Sequence, residues 1–239
     1  MKPFVVIDIE TVENSRAKEL FAKKKYEVDG RLKDPIKIEQ NLLEKRQRDL
    51  DKAPLYWWTG KIICICVNLL GVNEKPKTFL GDDERELLHQ FFAYLDDVQK
   101  RHGGYMLIAK SGDYFDLPFM TGRCLALDLG VPQVLRGTRG ITDIDHIFSW
   151  SAQCDQRSSL DNYAFGLNIA GKNGHGSDVS SLYNTTQMGD ADGWRKIAEY
   201  CAQDVNIATE ILRRYLKVYI NPNVPEATIA PMSAEQIPF

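Results

Sequence analysis

Near the N-terminus the run VVIDIE places two carboxylates, Asp8 and Glu10, two residues apart after an apolar stretch. On a strand that spacing puts both on one face, with Ile7 and Ile9 on the other. Like charges held side by side repel, and burial would push one toward protonation unless a cation sits between them. Two more acids have the same need. Asp116, in FDLP, follows an apolar run and precedes Pro118, where it could cap a helix. Capping does not exclude ligation, since a carboxylate has two oxygens and several lone pairs. Asp204 stands four residues after Tyr200, on one helical line with Ile197, Ala208 and Ile211. A carboxylate in such an apolar stripe needs a cation or several donors, with a structural salt bridge as the competing role. Brought together, the four acids would hold hard divalent cations, Mg2+ or Mn2+, in preference to zinc. Two such ions about 3.5–4 Å apart are the standard device for in-line phosphodiester cleavage.

The elements that must position these residues are legible in outline. Residues 4–9 read as a strand, 61–70 (KIICICVNLL) as a longer buried one, and PKTFL as a short third. GDDERELLHQFFAYLDDVQKR begins with acids and ends with Lys100 and Arg101, which suits a helix dipole. GYMLIAK reads as another buried strand, broken at Gly112. The next helix would hold Pro118 in its first turn, run to about Leu129 and stop at Gly130. TDIDHIF is ambiguous between strand and helix, and Ser159 looks like the cap of a short helix before the loop GKNGHGS. In the last helix Trp194, Ile197, Ala198, Cys201, Val205, Ala208, Leu212 and Tyr215 mark one face. These elements suggest an α/β domain, a mixed sheet covered by helices. Residues 220–239, rich in proline and without periodicity, read as an extended tail.

With 239 residues, 44% hydrophobic, the chain can bury one sizeable core. No run reaches the length of a membrane span and no signal-peptide pattern opens the chain, so a soluble cytoplasmic protein is expected. The net charge of -3 does not advertise nucleic-acid binding, but its distribution is uneven. Between Glu13 and Lys61 there are 13 Lys/Arg and 9 Asp/Glu, a local excess of +4 beside a body carrying -7. A basic segment next to acidic ligands could draw in a phosphate backbone; a solvated helix pair is the plainer alternative. The segment 13–58 looks like a charged, helical insertion after the first strand. Five cysteines suggest no disulfide framework; Cys64 and Cys66 share a strand face, but no second Cys/His pair completes a metal site, and core filling is favoured.

DIET (Asp8, Glu10), GDYFDLP (Asp116) and YCAQD (Tyr200, Asp204) resemble the three exonuclease motifs of the DEDD superfamily of 3'-5' exonucleases, in the tyrosine subclass. The likeness is to stand-alone exonucleases similar to the proofreading domain of family B DNA polymerases, and it covers roughly residues 1–219, including SLDNYAFGL. It implies an RNase H-like fold in which Asp8, Glu10, Asp116 and Asp204 hold two Mg2+ or Mn2+ ions and Tyr200 orients the attacking water. It also implies release of nucleoside 5'-monophosphates from a 3' end, in replication, repair or phage DNA metabolism. Thr11, Ser111 and Phe115 are the candidate substrate contacts. Ser111 stands where many relatives have Asn, a shorter side chain with fewer hydrogen bonds to offer.

Single-stranded or frayed DNA is the expected substrate. An RNA exonuclease and a non-catalytic nucleic-acid-binding module on the same fold remain alternatives. Tyr56, Trp57 and Trp58 could stack on unpaired bases if exposed, though packing against the core is expected. Lys172 in GKNGHGS could meet a phosphate. The terminal IPF resembles the end of bacterial single-stranded-DNA-binding proteins, a tail that docks on partner enzymes.

Overall fold

The computed structural model describes residues 2–28, 30–72, 75–135, 143–148, 157–172, 174 and 176–220. The tail beyond 220, with its IPF ending, and His175 of the glycine-rich loop lie outside the described residues. Four strands are formed, β1 (Phe4–Glu13), β2 (Gly60–Leu69), β3 (Lys77–Leu80) and β4 (Met106–Ala109). The helices are α1 (Ser15–Lys23), α2 (Pro35–Lys52), α3 (Glu84–His102), α4 (Asp116–Ala126), α5 (Leu160–Gly166), α6 (Asp178–Gln187) and α7 (Ala191–Ile220). The strands make one mixed sheet in the order β3-β2-β1-β4, with β4 parallel to β1 and the other pairs antiparallel. The α/β class expected from the sequence is what forms.

Both faces of β1 are buried, and alternation sorts its residues between two cores. Val5, Ile7 and Ile9 pack with Ile65 and Val67 against Leu88, Phe91 and Leu95 of α3 and Met120 of α4. Phe4, Val6 and Val12 face the other way, with Cys64 and Cys66, onto Cys201, Val205, Ala208 and Leu212 of α7. Asp8 and Glu10 are even-numbered and so fall on the α7 face. They do not sit at the strand's end, as the sequence suggested. β1 continues to Glu13 because Thr11, Val12 and Glu13 pair with the start of β2, beyond a bulge between Glu10 and Thr11. What ends near Asp8 is the other partner: β4 pairs only with Phe4–Ile7, and the chain then leaves the sheet for α4.

Local details of the structure depart from the sequence reading or go beyond it. α4 starts at Asp116 itself, its preceding cap residue is Phe115, and no side chain caps it, so Asp116 is not the cap. That helix ends at Ala126, before a left-handed residue at Asp128 (φ 56°). TDIDHIF supplies a short 3-10 turn, Ile144–Ile147, and one parallel bridge between Ala109 and Asp143. Helix α6 was not expected, because DVSSLYNTTQ is rich in residues that compete with a helix backbone. Gly193 at the start of α7 lets α6 approach closely, since a Cβ there would lie 2.7 Å from Thr186 and 2.8 Å from the Leu182 carbonyl.

The charged segment forms α1 and α2, which share a small core of Ala17, Phe21, Ala53 and Leu50. It is tied to the body by Thr11 Oγ1 donating to the Pro54 carbonyl at 2.7 Å and Asn14 Nδ2 donating to the Gly60 carbonyl at 3.0 Å. Arg123 Nη1 donates to the Trp57 carbonyl at 2.9 Å. The expectation that the aromatic triplet is packed away is overturned: Tyr56, Trp57 and Trp58 are 40%, 38% and 51% exposed. Trp57 lies on Gly122 of α4, where an added Cβ would come within 2.4 Å of the indole. Trp58 instead stacks on Tyr56, with ring centroids 4.8 Å apart.

Candidate active site

Asp8 and Glu10 on strand β1, Asp116 at the start of α4 and Asp204 in the middle of α7 are near enough for their charges to act on one another, and Asp8 and Glu10 have ligand oxygens within 4.8 Å of each other. The interruption of the β1–β4 ladder makes room for this: past Ile7 the strand has no β4 partner, and the Ile9 backbone acts to lower the Asp116 carboxyl. Asp116 is 2% exposed, and Glu10 and Asp204 are buried as well. Burial pushes the Asp8 carboxyl well above its usual range, and the charges of Glu10, Asp116 and Asp204 push it further. Glu10 is raised by burial and by Asp204, against the opposing pull of Lys172. Asp116 is pushed up to about 7, chiefly by burial, with the Ile9 N–H working against the shift. Asp116 Oδ1 and Asp204 Oδ1 are buried with no hydrogen-bond partner.

Four crowded carboxylates with orphaned inward oxygens are costly by themselves and fit a divalent cation. The four carboxylates are oxygen donors, which suit Mg2+ or Mn2+, and Cys201 Sγ is the third member of a group in which its ligand atom and those of Asp8 and Glu10 lie within 4.8 Å of one another. Protein cations do part of that neutralising. Lys172 Nζ donates to Asp204 Oδ2 at 2.8 Å and to the Tyr200 hydroxyl at 2.6 Å, and lies 4.6 Å from the Tyr200 ring centroid. Burial would lower the lysine, but these two hydrogen bonds outweigh it and hold it above its ordinary value. Tyr200 is pushed up to about 12 by burial, so its hydroxyl stays protonated at neutral pH. The sequence marked Lys172 only as a phosphate contact in a loop; the structure puts it inside the acid cluster.

Thr11 and Phe115 line a cleft of about 960 Å3 that opens beside Glu10 between β1, the α2 end of the charged segment and α6. Phe115 also rests on Phe119, ring centroids 5.4 Å apart. Ser111 is held differently. Its N–H donates to Asp143 Oδ1 at 3.0 Å and its hydroxyl to Asp145 Oδ2 at 3.1 Å, where Lys110 and Tyr163 also converge. Its φ of 58° is left-handed, a conformation asparagine adopts more readily than serine. Asp143 and Asp145 were not singled out from the sequence; their two-residue spacing in TDID was the available signal.

The thiols of Cys64 and Cys66 fill the core as free cysteines, as expected, and gain a neighbour the sequence did not show. Cys66 lies opposite Asp8 and Cys64 opposite Glu10 in the β1–β2 register. α7 adds Cys201, whose Sγ is 3.4 Å from Asp8 Oδ2. The sulfurs of Cys64, Cys66 and Cys201 all lie within 4.8 Å of one another, so the C-x-C pair has a third partner that only the fold supplies.

Known proteins bear on this arrangement in three ways. Residues 37–216 match the RNase H superfamily model, a span that begins after β1 and so leaves Asp8 and Glu10 to be placed by the structure. No curated protein matches the chain. Among solved structures it is similar to the family B DNA polymerase from the hyperthermophilic archaeon Pyrobaculum calidifontis, with a TM-score of 0.54 and 13% identity. That likeness covers 99% of this chain and 28% of the polymerase, and it speaks for the fold alone. With an RNase H-like mixed sheet and a family match over three of its four strands, the chain belongs to the RNase H superfamily.

Proposed function

We propose that this protein is a metal-dependent 3'-5' exonuclease that removes nucleoside 5'-monophosphates from the 3' end of DNA, single-stranded or frayed. The observation that carries the reading is the convergence of Asp8, Glu10, Asp116 and Asp204, two of them with orphaned buried oxygens, beside Tyr200 one helical turn from Asp204. Asp8, Glu10, Asp116 and Asp204 would hold two Mg2+ or Mn2+ ions, which supply a hydroxide at neutral pH and stabilise the leaving oxygen. Tyr200 accepts a hydrogen bond from Lys172, which fixes its oxygen and leaves its own O–H to orient a water or a phosphate oxygen. Thr11 and Phe115, on the cleft wall next to Glu10, are placed to meet the terminal nucleotide. The 3'-5' direction, the tyrosine-subclass assignment and the choice of DNA rest on the motif resemblance.

The exonuclease domain of this reading is residues 1–219, with 13–58 as an insertion that walls the cleft through Gln47, Leu50, Asp51, Pro54 and Leu55. Among the described residues no helix is long and apolar enough to cross a membrane. A cytoplasmic setting, with the tail as a docking segment for a single-stranded-DNA-binding partner, completes the proposal. The test is incubation with 5'-labelled single-stranded DNA, duplex DNA and RNA, each with Mg2+, Mn2+ or chelator. Shortening of single-stranded DNA only with metal is expected; preference for RNA would move the substrate to the RNA branch. Intact substrates under every metal would leave a binding module in place of the enzyme.

A further inference from the structure

Beneath the acid cluster lies a second set of ligand atoms that the nuclease reading does not use. Cys64 and Cys66 project from β2 on the α7 face, and Cys201 comes down from α7 between them and Asp8. Their three sulfurs lie within 4.8 Å of one another, and all three residues are fully buried. Tetrahedral thiolate sites with metal–sulfur bonds of about 2.3 Å bring sulfurs to about 3.8 Å, and a carboxylate oxygen to about 3.6 Å from a sulfur. Cys201 Sγ, the sulfur nearest the acids, donates to Asp8 Oδ2 at 3.4 Å, and Asp8 groups with Glu10 and Cys201 rather than with the other two sulfurs. Cys66 also has an outer partner, Thr78 Oγ1 at 3.0 Å, a hydroxyl able to support a thiolate. The sheet register sets Asp8 and Thr78 beside Cys66, and the packing of α7 adds Cys201 to the pair from β2.

We infer that Cys64, Cys66 and Cys201 form a site for a thiophilic divalent cation such as Zn2+. Each thiol releases its proton to solvent on ligation. Soft sulfur donors select such an ion over Mg2+ or Mn2+, the reverse of the oxygen cluster above. Cys201 also belongs to the group with Asp8 and Glu10, so an ion on the sulfurs takes away the thiol that donates to Asp8 Oδ2 and sets a cation beside that carboxylate. Occupancy therefore inhibits; this second half rests on the proposed nuclease activity, whereas the binding half does not.

The probe is Cd2+ titrated into the full chain, read by thiolate-to-cadmium charge-transfer absorbance. A Cys124→Ser/Cys154→Ser variant, which keeps only these three thiols, should saturate at one equivalent with the wild-type band, and excess Mg2+ should not remove it. Cys66→Ser should weaken binding by at least about tenfold. Absence of the band from the folded wild type, or an undiminished band in Cys66→Ser, overturns the site. For the inhibitory half, one equivalent of Zn2+ should suppress Mn2+-supported DNA shortening in wild type and spare Cys66→Ser. Zn2+ bound without inhibition overturns that half. A band in a protein that cuts no nucleic acid leaves the thiol site standing and removes the nuclease reading instead.

Discussion

Lys172 Nζ donates to the Tyr200 hydroxyl at 2.6 Å while also holding Asp204 at 2.8 Å, so one ammonium group orients the tyrosine and balances a buried acid. Lys172→Met removes both effects. Loss of a positioned hydrogen-bonding group of this kind should lower the rate of nucleotide release by about a hundredfold. Lys172→Arg should recover part of it. Rates measured with Mg2+ for the three proteins check this; an unchanged rate in Lys172→Met would detach the lysine from the chemistry.

The acid cluster predicts opposite effects of one substitution on activity and stability. Asp116→Asn keeps an oxygen for the Ile9 N–H but removes a buried charge that neighbouring carboxylates repel. Without metal, at about pH 8, the variant should melt a few degrees higher than wild type, equivalent to about 1 kcal/mol or more. Its activity should fall by more than the about 10–100-fold that outer-shell partners of metal sites cost. Thermal melts beside a nuclease assay read both. A structural role for Asp116 would instead lower the melting temperature.

The raised carboxyls also fix the sign of the pH dependence. Asp116 sits at about 7 in the fold, and Asp8, Glu10 and Asp204 are raised as well. Between the ordinary carboxylate range and about 7 the folded chain therefore binds more protons than the unfolded one, and stability falls as pH rises. Metal-free protein should melt lower at about pH 8 than at about pH 5. Mn2+ at about 100 times its dissociation constant should add about 2.7 kcal/mol at the higher pH, and far less at the lower, where protons compete. Calorimetry across this range checks both slopes.

The charged segment depends on a buried ion pair. Arg123 Nη2 donates to Glu84 Oε2 at 2.7 Å and its Nη1 to the Trp57 carbonyl, while the Ile62 N–H donates to Glu84 Oε1 at 2.7 Å. One pair thus joins α3, α4, β2 and the aromatic triplet. Glu84→Ala leaves Arg123 buried and unpaired, and should cost about 3–5 kcal/mol in urea denaturation. Gly122→Ala should displace Trp57, read as a red shift in its fluorescence.

Local pattern made the scaffold legible: apolar runs marked all four strands, and helical spacing marked α7 with Tyr200 and Asp204 on one line. The acid-cluster residues were picked out by the motif resemblance, with Asp8 and Glu10 on an apolar strand, Asp116 at a strand-to-helix junction and Asp204 on a helical line. What escaped depends on contacts between distant segments. Lys172 enters the cluster from an irregular loop, Cys201 meets Cys64 and Cys66 only once α7 packs on β2, and α6 carries too little helix preference to declare itself. The extension of β1 past Glu10 likewise comes from pairing with β2, not from its own hydrophobicity.

The most direct measurement is the identity and order of products from a 5'-labelled single-stranded DNA with Mg2+. The account predicts a ladder shortening from the 3' end one nucleotide at a time, release of nucleoside 5'-monophosphates, and neither in Asp8→Ala. Internal cuts, release from the 5' end, or full activity in Asp8→Ala would contradict it.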